Sequence, residues 1–188
     1  MKNNLLPAFR LTLVLLVLCA GVYPALIWAG AQLAPGAGQG VTLRQNGRVV
    51  GFANVGQKFD QPQYFNGRPS AVDYNAASSA GSNKGPTNPE YLALVQQRLD
   101  TLLQQNPGVT KNQVSAELIT ASGSGLDPDL SPEAAAVQVA RIAKARHLDA
   151  ATVQALVTQH TVTGLLAPAR VNVLQLNLAM DALAPTRR

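Results

Sequence analysis

Leu11 to Leu33 reads LTLVLLVLCAGVYPALIWAGAQL, 23 consecutive positions without a charged side chain. Wound as an α-helix, this stretch is about 34 Å long, against about 30 Å for the hydrocarbon core of a bilayer. It therefore reads as a single transmembrane helix, with residues 1–10 before it and residues 34–188 forming one soluble domain after it. Lys2 and Arg10 precede the span, and no Lys or Arg follows until Arg44. That asymmetry predicts an N-terminus in the cytoplasm and a soluble domain on the outer, periplasmic or extracellular side of the plasma (inner) membrane.

Two other readings of the N-terminus were weighed. Ala29-Gly30-Ala31 fits a small-x-small cleavage site, which would make the segment a signal peptide and the product a secreted protein. The apolar run is too long for the central region of a signal peptide, however, and Tyr23, Pro24 and Trp28 suit an interfacial end of a retained helix. Lipid attachment at Cys19 is disfavoured by the bulky Leu18 before it and by its place in mid-segment. Thr12, Cys19, Ala20 and Tyr23 fall on one side of the helix and would let another helix approach closely. Pro24 removes the donor for the Ala20 carbonyl, so the helix is expected to loosen there.

At 188 residues the chain suits one domain plus an anchor. Beyond the span, thirteen basic residues face ten acidic ones, too small an excess for a nucleic-acid-binding surface. With a single cysteine, neither an intramolecular disulfide nor a thiolate metal cluster can form. Charged residues make up only 13% of the chain and glycine and proline are frequent, which predicts many turns and ordered loops.

Val41–Phe52, VTLRQNGRVVGF, places two β-prone runs around Asn46-Gly47 and predicts a hairpin. Gly56–Pro89 has no periodicity; a loop that long is expected to be functional or tied down by its own side chains. Asn88-Pro89 opens a helix with Tyr91, Leu92, Val95, Leu99 and Leu102 on its apolar stripe, ending near Asn106-Pro107. Val114–Thr120 reads as a strand, followed by a glycine-rich loop through Pro128. Helices are expected from Ser131-Pro132 to Arg146, from Asp149 to His160 and from Val173 to Leu183. The predicted class is α+β, a small sheet with several helices.

The sequence carries no recognisable catalytic, nucleotide or metal-binding pattern. Around Ser124 the flanking positions are Ser122 and Leu126, so the nucleophile-elbow spacing is not met. His147 and His160 read as ordinary helix residues. Gly81-Ser82-Asn83-Lys84-Gly85-Pro86-Thr87 lacks the ending of a phosphate loop and reads as a structural turn. Asp127, Asp129 and Glu133 depart from calcium-loop spacing; Asp127 reads as a loop brace and Glu133 as a first-turn acid. Arg141, Lys144 and Arg146 read as a solvated helix end facing the helix dipole.

Several motifs nevertheless carry a resemblance. Tyr64-Phe65-Asn66-Gly67-Arg68-Pro69-Ser70-Ala71, Gly81-Ser82-Asn83, Gly85 through Pro89, and Thr120-Ala121-Ser122-Gly123-Ser124-Gly125-Leu126-Asp127-Pro128 are similar to the KdpC family, the C subunits of bacterial Kdp-type potassium-transporting ATPases. So are Ser131 through Ala135, Gln138, Arg141, Ala143-Lys144-Ala145-Arg146, and Arg170-Val171-Asn172-Val173-Leu174-Gln175-Leu176-Asn177. The similarity covers the whole chain. At Asp129, Ala80 and Ala167 the chain departs from the family pattern, where a histidine, a glycine and an acidic residue before Pro168 are common.

The resemblance implies an accessory subunit, not itself catalytic, of a complex that imports potassium at high affinity. Its implied partners are a channel-like potassium-binding subunit and a P-type ATPase subunit, besides membrane lipid. It implies a role in assembly and stability, and as a catalytic chaperone raising the ATP affinity of the ATP-hydrolysing subunit. ATP is the cofactor implied; no residue here is assigned to it, nor any to a metal. The competing classes are an anchored or secreted solute-binding domain and a secreted hydrolase, each without partner subunits. Motif-matched candidates for structural or interface roles are Tyr64, Phe65, Gly67, Arg68, Pro69, Ser70, Ser82, Asn83, Ser122, Gly123, Ser124, Gly125, Asp127, Gln138, Arg141, Arg146, Asn172 and Asn177. Among them Arg68, Asp127 and Asn83 are expected to brace the outer domain or its interface, since glycine-rich loops need polar side chains to satisfy their backbone.

Overall fold

The computed structural model describes residues 2–183. The chain divides into two compact units, the first ending at Thr42 and the second beginning at Leu43.

The first unit is built on one continuous helix, with turns after its end. It comprises α1 (Lys2–Val17), a π-helical turn (Leu18–Val22) and α2 (Tyr23–Ala31). The stretch Asn4–Ala31 has no buried residue and contains 18 consecutive residues with a mean hydropathy of 2.3, so it is long and apolar enough to cross a membrane. The helix begins well before Leu11, and Pro7 lies inside it. The π turn sits immediately before Pro24, where the Tyr23 N–H reaches back to the Leu18 carbonyl. This is the loosening expected of a proline that supplies no N–H: the ladder widens by one residue.

The second unit opens with the predicted hairpin, β1 (Thr42–Gln45) hydrogen-bonded to β2 (Arg48–Phe52). Asn46 at φ 51° and Gly47 at φ 79° both take the left-handed region that a two-residue type I′ turn requires. α3 (Pro89–Gln105) starts where expected, with the Asn88 side chain accepting from the Tyr91 N–H at 2.9 Å.

The expected strand over Val114–Thr120 is not formed. Two 3₁₀ turns, Lys111–Gln113 and Ala116–Leu118, occupy the region. Their backbone is satisfied locally, Leu118 N–H to Ser115 O and Thr120 N–H to Ala116 O, so no partner strand is needed. The turn buries Leu118 while Glu117 accepts from both the N–H and the hydroxyl of Ser131. Tertiary contacts at both positions thus overrule a β-prone run.

β3 (Asp129–Leu130), α4 (Pro132–Arg146), α5 (Ala150–Gln159), β4 (Thr161–Val162), β5 (Arg170–Asn172) and α6 (Val173–Leu183) complete the chain. The central β5 pairs antiparallel with both neighbours, Leu130 and Thr161 each opposite Val171. Ser131 caps α4 through its hydroxyl, and His147, left-handed at φ 54°, ends it. The core collects Leu130, Ala134, Ala135, Val139, Ile142, Val153, Val157, Val171, Leu176 and Met180, together with Phe65 from the long loop. Small alanines on α4 allow α5 to pack closely against it.

Candidate functional site: a side-chain clamp and an arginine-lined cleft

The loop from Gly56 to Asn88 contains one short 3₁₀ turn, Ala76–Ser78, and no strand. Between Pro62 and Asn66 its backbone is instead paired by four side chains from α4 and α6. Arg141 donates through Nη1 to the carbonyls of Pro62 (2.6 Å) and Tyr64 (3.0 Å). Arg146 donates through Nε to the Gln63 carbonyl at 2.8 Å. Asn177 accepts from the Phe65 N–H and donates to its carbonyl. Gln138 does the same for Asn66, at 2.9 and 3.0 Å. These amides and guanidinium groups stand in for a neighbouring β-strand, which lets Phe65 enter the core with no backbone group left unpaired at that residue.

Arg141, Lys144 and Arg146 are therefore not a solvated helix end. Lys144 alone is exposed. The Arg146 side chain is 4% exposed and pairs with Asp181 at 2.7 Å, while its guanidinium carbon lies 5.0 Å from the centre of the Tyr64 ring. Tyr64 in turn donates from its hydroxyl to Asp181 at 3.2 Å. The 3.6-residue period places Gln138, Arg141 and Arg146 along the side of α4 that meets the loop, a role that helix-end electrostatics could not reveal.

A second set of contacts locks the glycine-rich loop onto the same region. Arg68 Nη1 meets Asp127 at 3.1 Å, and Asp127 also accepts from the Asp129 N–H. Ser70 accepts from the Val72 and Tyr74 N–H groups, and Tyr74 donates to the Arg68 carbonyl. The Pro69 carbonyl accepts from the Ser122 N–H, and the Ser122 hydroxyl from the Gly125 N–H. Ser124 accepts from the Leu126 N–H, and its carbonyl from Ser79. Gly125 has φ +68°, and a Cβ there would lie 2.8 Å from the Ala80 carbonyl oxygen. A Cβ on Gly67 would meet the Tyr74 hydroxyl at 3.0 Å, and one on Gly81 the Gly123 carbonyl at 3.0 Å. Asn172 bridges Ala53 and Asp129 through Nδ2. Asn83 is not brought into this set: it is exposed, with left-handed backbone at φ 52°. Ser82 makes no side-chain hydrogen bond among the described residues.

Beside the clamp lies a cleft of about 360 Å³ between α3 and the loop. Arg68, Arg98 and Arg141 line it, with Asn66, Gln97, Gln105, Asn106 and Gln138; Leu94, Leu102, Leu118, Phe59 and Tyr74 supply apolar wall. Among the described residues no Asp or Glu lines it. Burial lowers the Arg141 pKa to about 10. All five N–H groups of Arg141 are used: the two carbonyls above, Asn106 through Nε, and Asn66 and Gln138 through Nη2. Sequence reasoning misses Asn106, Arg98 and Asp181 as residues of this site. Asn106 stood at a recognisable helix end and Asp181 lies one turn after Asn177, but nothing marked Arg98.

His147 closes α4 and His160 ends α5, its Nδ1 3.0 Å from the Leu156 carbonyl; among the described residues neither is hydrogen-bonded to a serine or a carboxylate.

A family model described as the c chain of the K⁺-transporting ATPase, KdpC, matches residues 5–182. The chain belongs to the KdpC family. Relatives include the potassium-transporting ATPase KdpC subunit of Flavobacterium johnsoniae, 54% identical over 96% of this chain and 99% of that protein. The KdpC subunit of Flavobacterium psychrophilum is 51% identical, again over 96% and 99%. That of Gemmatimonas aurantiaca is 48% identical over 99% of this chain and 96% of its own. KdpC is a subunit of a multi-subunit potassium-transporting ATPase, so the clamp and the cleft belong to a domain that works within an assembly. The match begins at residue 5 and thus takes in the apolar helix as well as the second unit.

Proposed function

We propose that this chain is the accessory, non-catalytic subunit of a high-affinity, ATP-driven potassium importer, needed for assembly and stability of the complex. Its helix docks on the membrane subunits with the N-terminus in the cytoplasm, and its outer domain sits beside the potassium entrance. The partners are the channel-like potassium-binding subunit and the P-type ATPase subunit. The observation that carries this reading is the family match across residues 5–182, helix included. The distribution of Lys2, Arg10 and Arg44 around the span supports the orientation.

An outer domain cannot touch cytoplasmic ATP. Any rise in the ATP affinity of the pump subunit is then a coupling free energy passed through the complex, and the clamp supports such a role by fixing the long loop rigidly to α4 and α6. A gentle-detergent pull-down of the tagged full-length chain from its host, read by mass spectrometry, tests the assignment: a P-type ATPase and a channel-like subunit are expected. Recovery of this chain alone would overturn it. For the outer domain, replacement by an unrelated fold behind the same helix should abolish potassium uptake, and full uptake would refute its part in the mechanism.

A further inference from the structure

The cleft beside the clamp has an unbalanced electrostatic lining. Three guanidinium groups face it and no carboxylate does. Arg68 shares its charge with Asp127, but Arg98 and Arg141 have no carboxylate partner among the described residues. Arg141 is desolvated and its donors are all engaged, so it contributes charge without a free N–H. Arg98 is different: its single hydrogen bond, Nη1 to the Ile119 carbonyl at 3.2 Å, leaves most of its fork unused. Arg68 adds positive charge at the wall; its Nε–H, the one buried side-chain polar atom without a partner among the described residues, is shielded from solvent and is not itself presented to the cleft. Free donors, uncompensated positive charge and an apolar wall therefore meet in one concavity, the usual composition of a site for a small anionic group.

We propose that this cleft binds a carboxylate, held by the free donors of Arg98 in the positive field of Arg141 and Arg68, with its carbon body against Leu94, Leu102 and Phe59. A planar guanidinium fork matches the two oxygens of a carboxylate. A monoanionic group is favoured over a phosphate dianion because the C-terminal end of α3, at Gln105 and Asn106, also lines the cleft and carries partial negative charge. The site itself is independent of the transport assignment; only a source on another subunit rests on it. Its carboxylate comes either from a free organic acid or from an acidic side chain of another subunit.

A small environment-sensitive dye on Gln97→Cys, at the exposed rim of the cleft, in a Cys19→Ser background of the full-length chain, reports occupancy. With the purified chain in detergent, sodium succinate should give a saturable change that sodium chloride of equal ionic strength does not reproduce. Arg98→Gln should weaken it about tenfold or more, the loss of a charge-assisted hydrogen bond. Arg98→Lys should weaken it less, and thermal unfolding of both variants checks that they fold. A linear response, a response matched by chloride, or saturation by phosphate but not by succinate would overturn the proposal. In the assembled complex, dye emission that still responds to succinate identifies a free acid as the source. Emission already at the bound value identifies a partner's side chain. Free-state emission that ignores succinate would overturn the site there.

Discussion

Asn177 on α6 closes both backbone hydrogen bonds of Phe65, accepting from its N–H at 2.8 Å and donating to its carbonyl at 3.0 Å. Both residues are buried, so this one amide lets a loop residue sit in the core without a partner strand. Asn177→Leu removes donor and acceptor together and strands two buried backbone groups, an expected cost of about 2–4 kcal/mol. Asn177→Asp keeps the acceptor but loses the donor to the Phe65 carbonyl and buries a charge, so at neutral pH it too should be less stable than the wild type. Urea unfolding of the full-length chain in detergent gives both values.

Arg146 ties three elements together through Gln63, Met180 and Asp181. Removing it leaves Asp181, 17% exposed, without its cation. Arg146→Ala is expected to cost about 3–5 kcal/mol, as for a broken buried ion pair. Arg146→Lys should recover only part of this, because a single ammonium cannot span a backbone carbonyl, a second carbonyl and a carboxylate at once. Lys144→Ala, two residues away on the exposed side of the helix, should change stability by less than about 0.5 kcal/mol.

Burial, with the charges of Asp127 and Asp73 adding to it, pushes the Tyr74 hydroxyl up to about 12. The folded form therefore holds this proton more tightly than the unfolded chain, whose tyrosines titrate near about 10. The stability from this phenol is fully present below about pH 10 and is lost as pH rises toward 12. Burial also raises the Tyr64 hydroxyl, so absorbance at the phenolate band should show Tyr74 as the last of the late steps in the wild type, and Tyr74→Phe should remove that last step.

Asp129 is also raised, chiefly by burial and slightly by Asp127, against the opposing Asn172 hydrogen bond and Arg170 charge. Its proton too is held more tightly in the folded state. The contribution to stability is present below the unfolded value, about 4, and falls as pH climbs through the folded value. Unfolding free energies of wild type and Asp129→Asn, compared between pH 4 and 7, should shift in favour of the variant as pH rises. A constant difference would show that the carboxyl does not titrate differently in the two states.

Local signals were readable residue by residue. Asn46-Gly47 had to turn left-handed, Asn88, Ser131 and Asp149 had to cap helices, and 23 uncharged positions had to form one long apolar helix. Each depends on neighbours a few residues apart. Val114–Thr120 shows the limit: its β-prone composition yielded to the burial of Leu118 and to the contact of Glu117 with Ser131. The three-stranded sheet was invisible for a related reason, since strands of two or three residues carry no periodicity.

The sequence by itself determined the apolar helix, the order of the helices, the hairpin and, through motifs spread along the chain, the family. Only the tertiary structure decided what Arg141 and Arg146 do, because the loop acceptors they hold lie at positions 62–66, more than seventy residues away along the chain. Charge near a helix end has one reading when its surroundings are water. Folding replaces that water with carbonyls and amides, and the cost of leaving them unpaired turns two apparently solvated arginines into the pins of a buried loop.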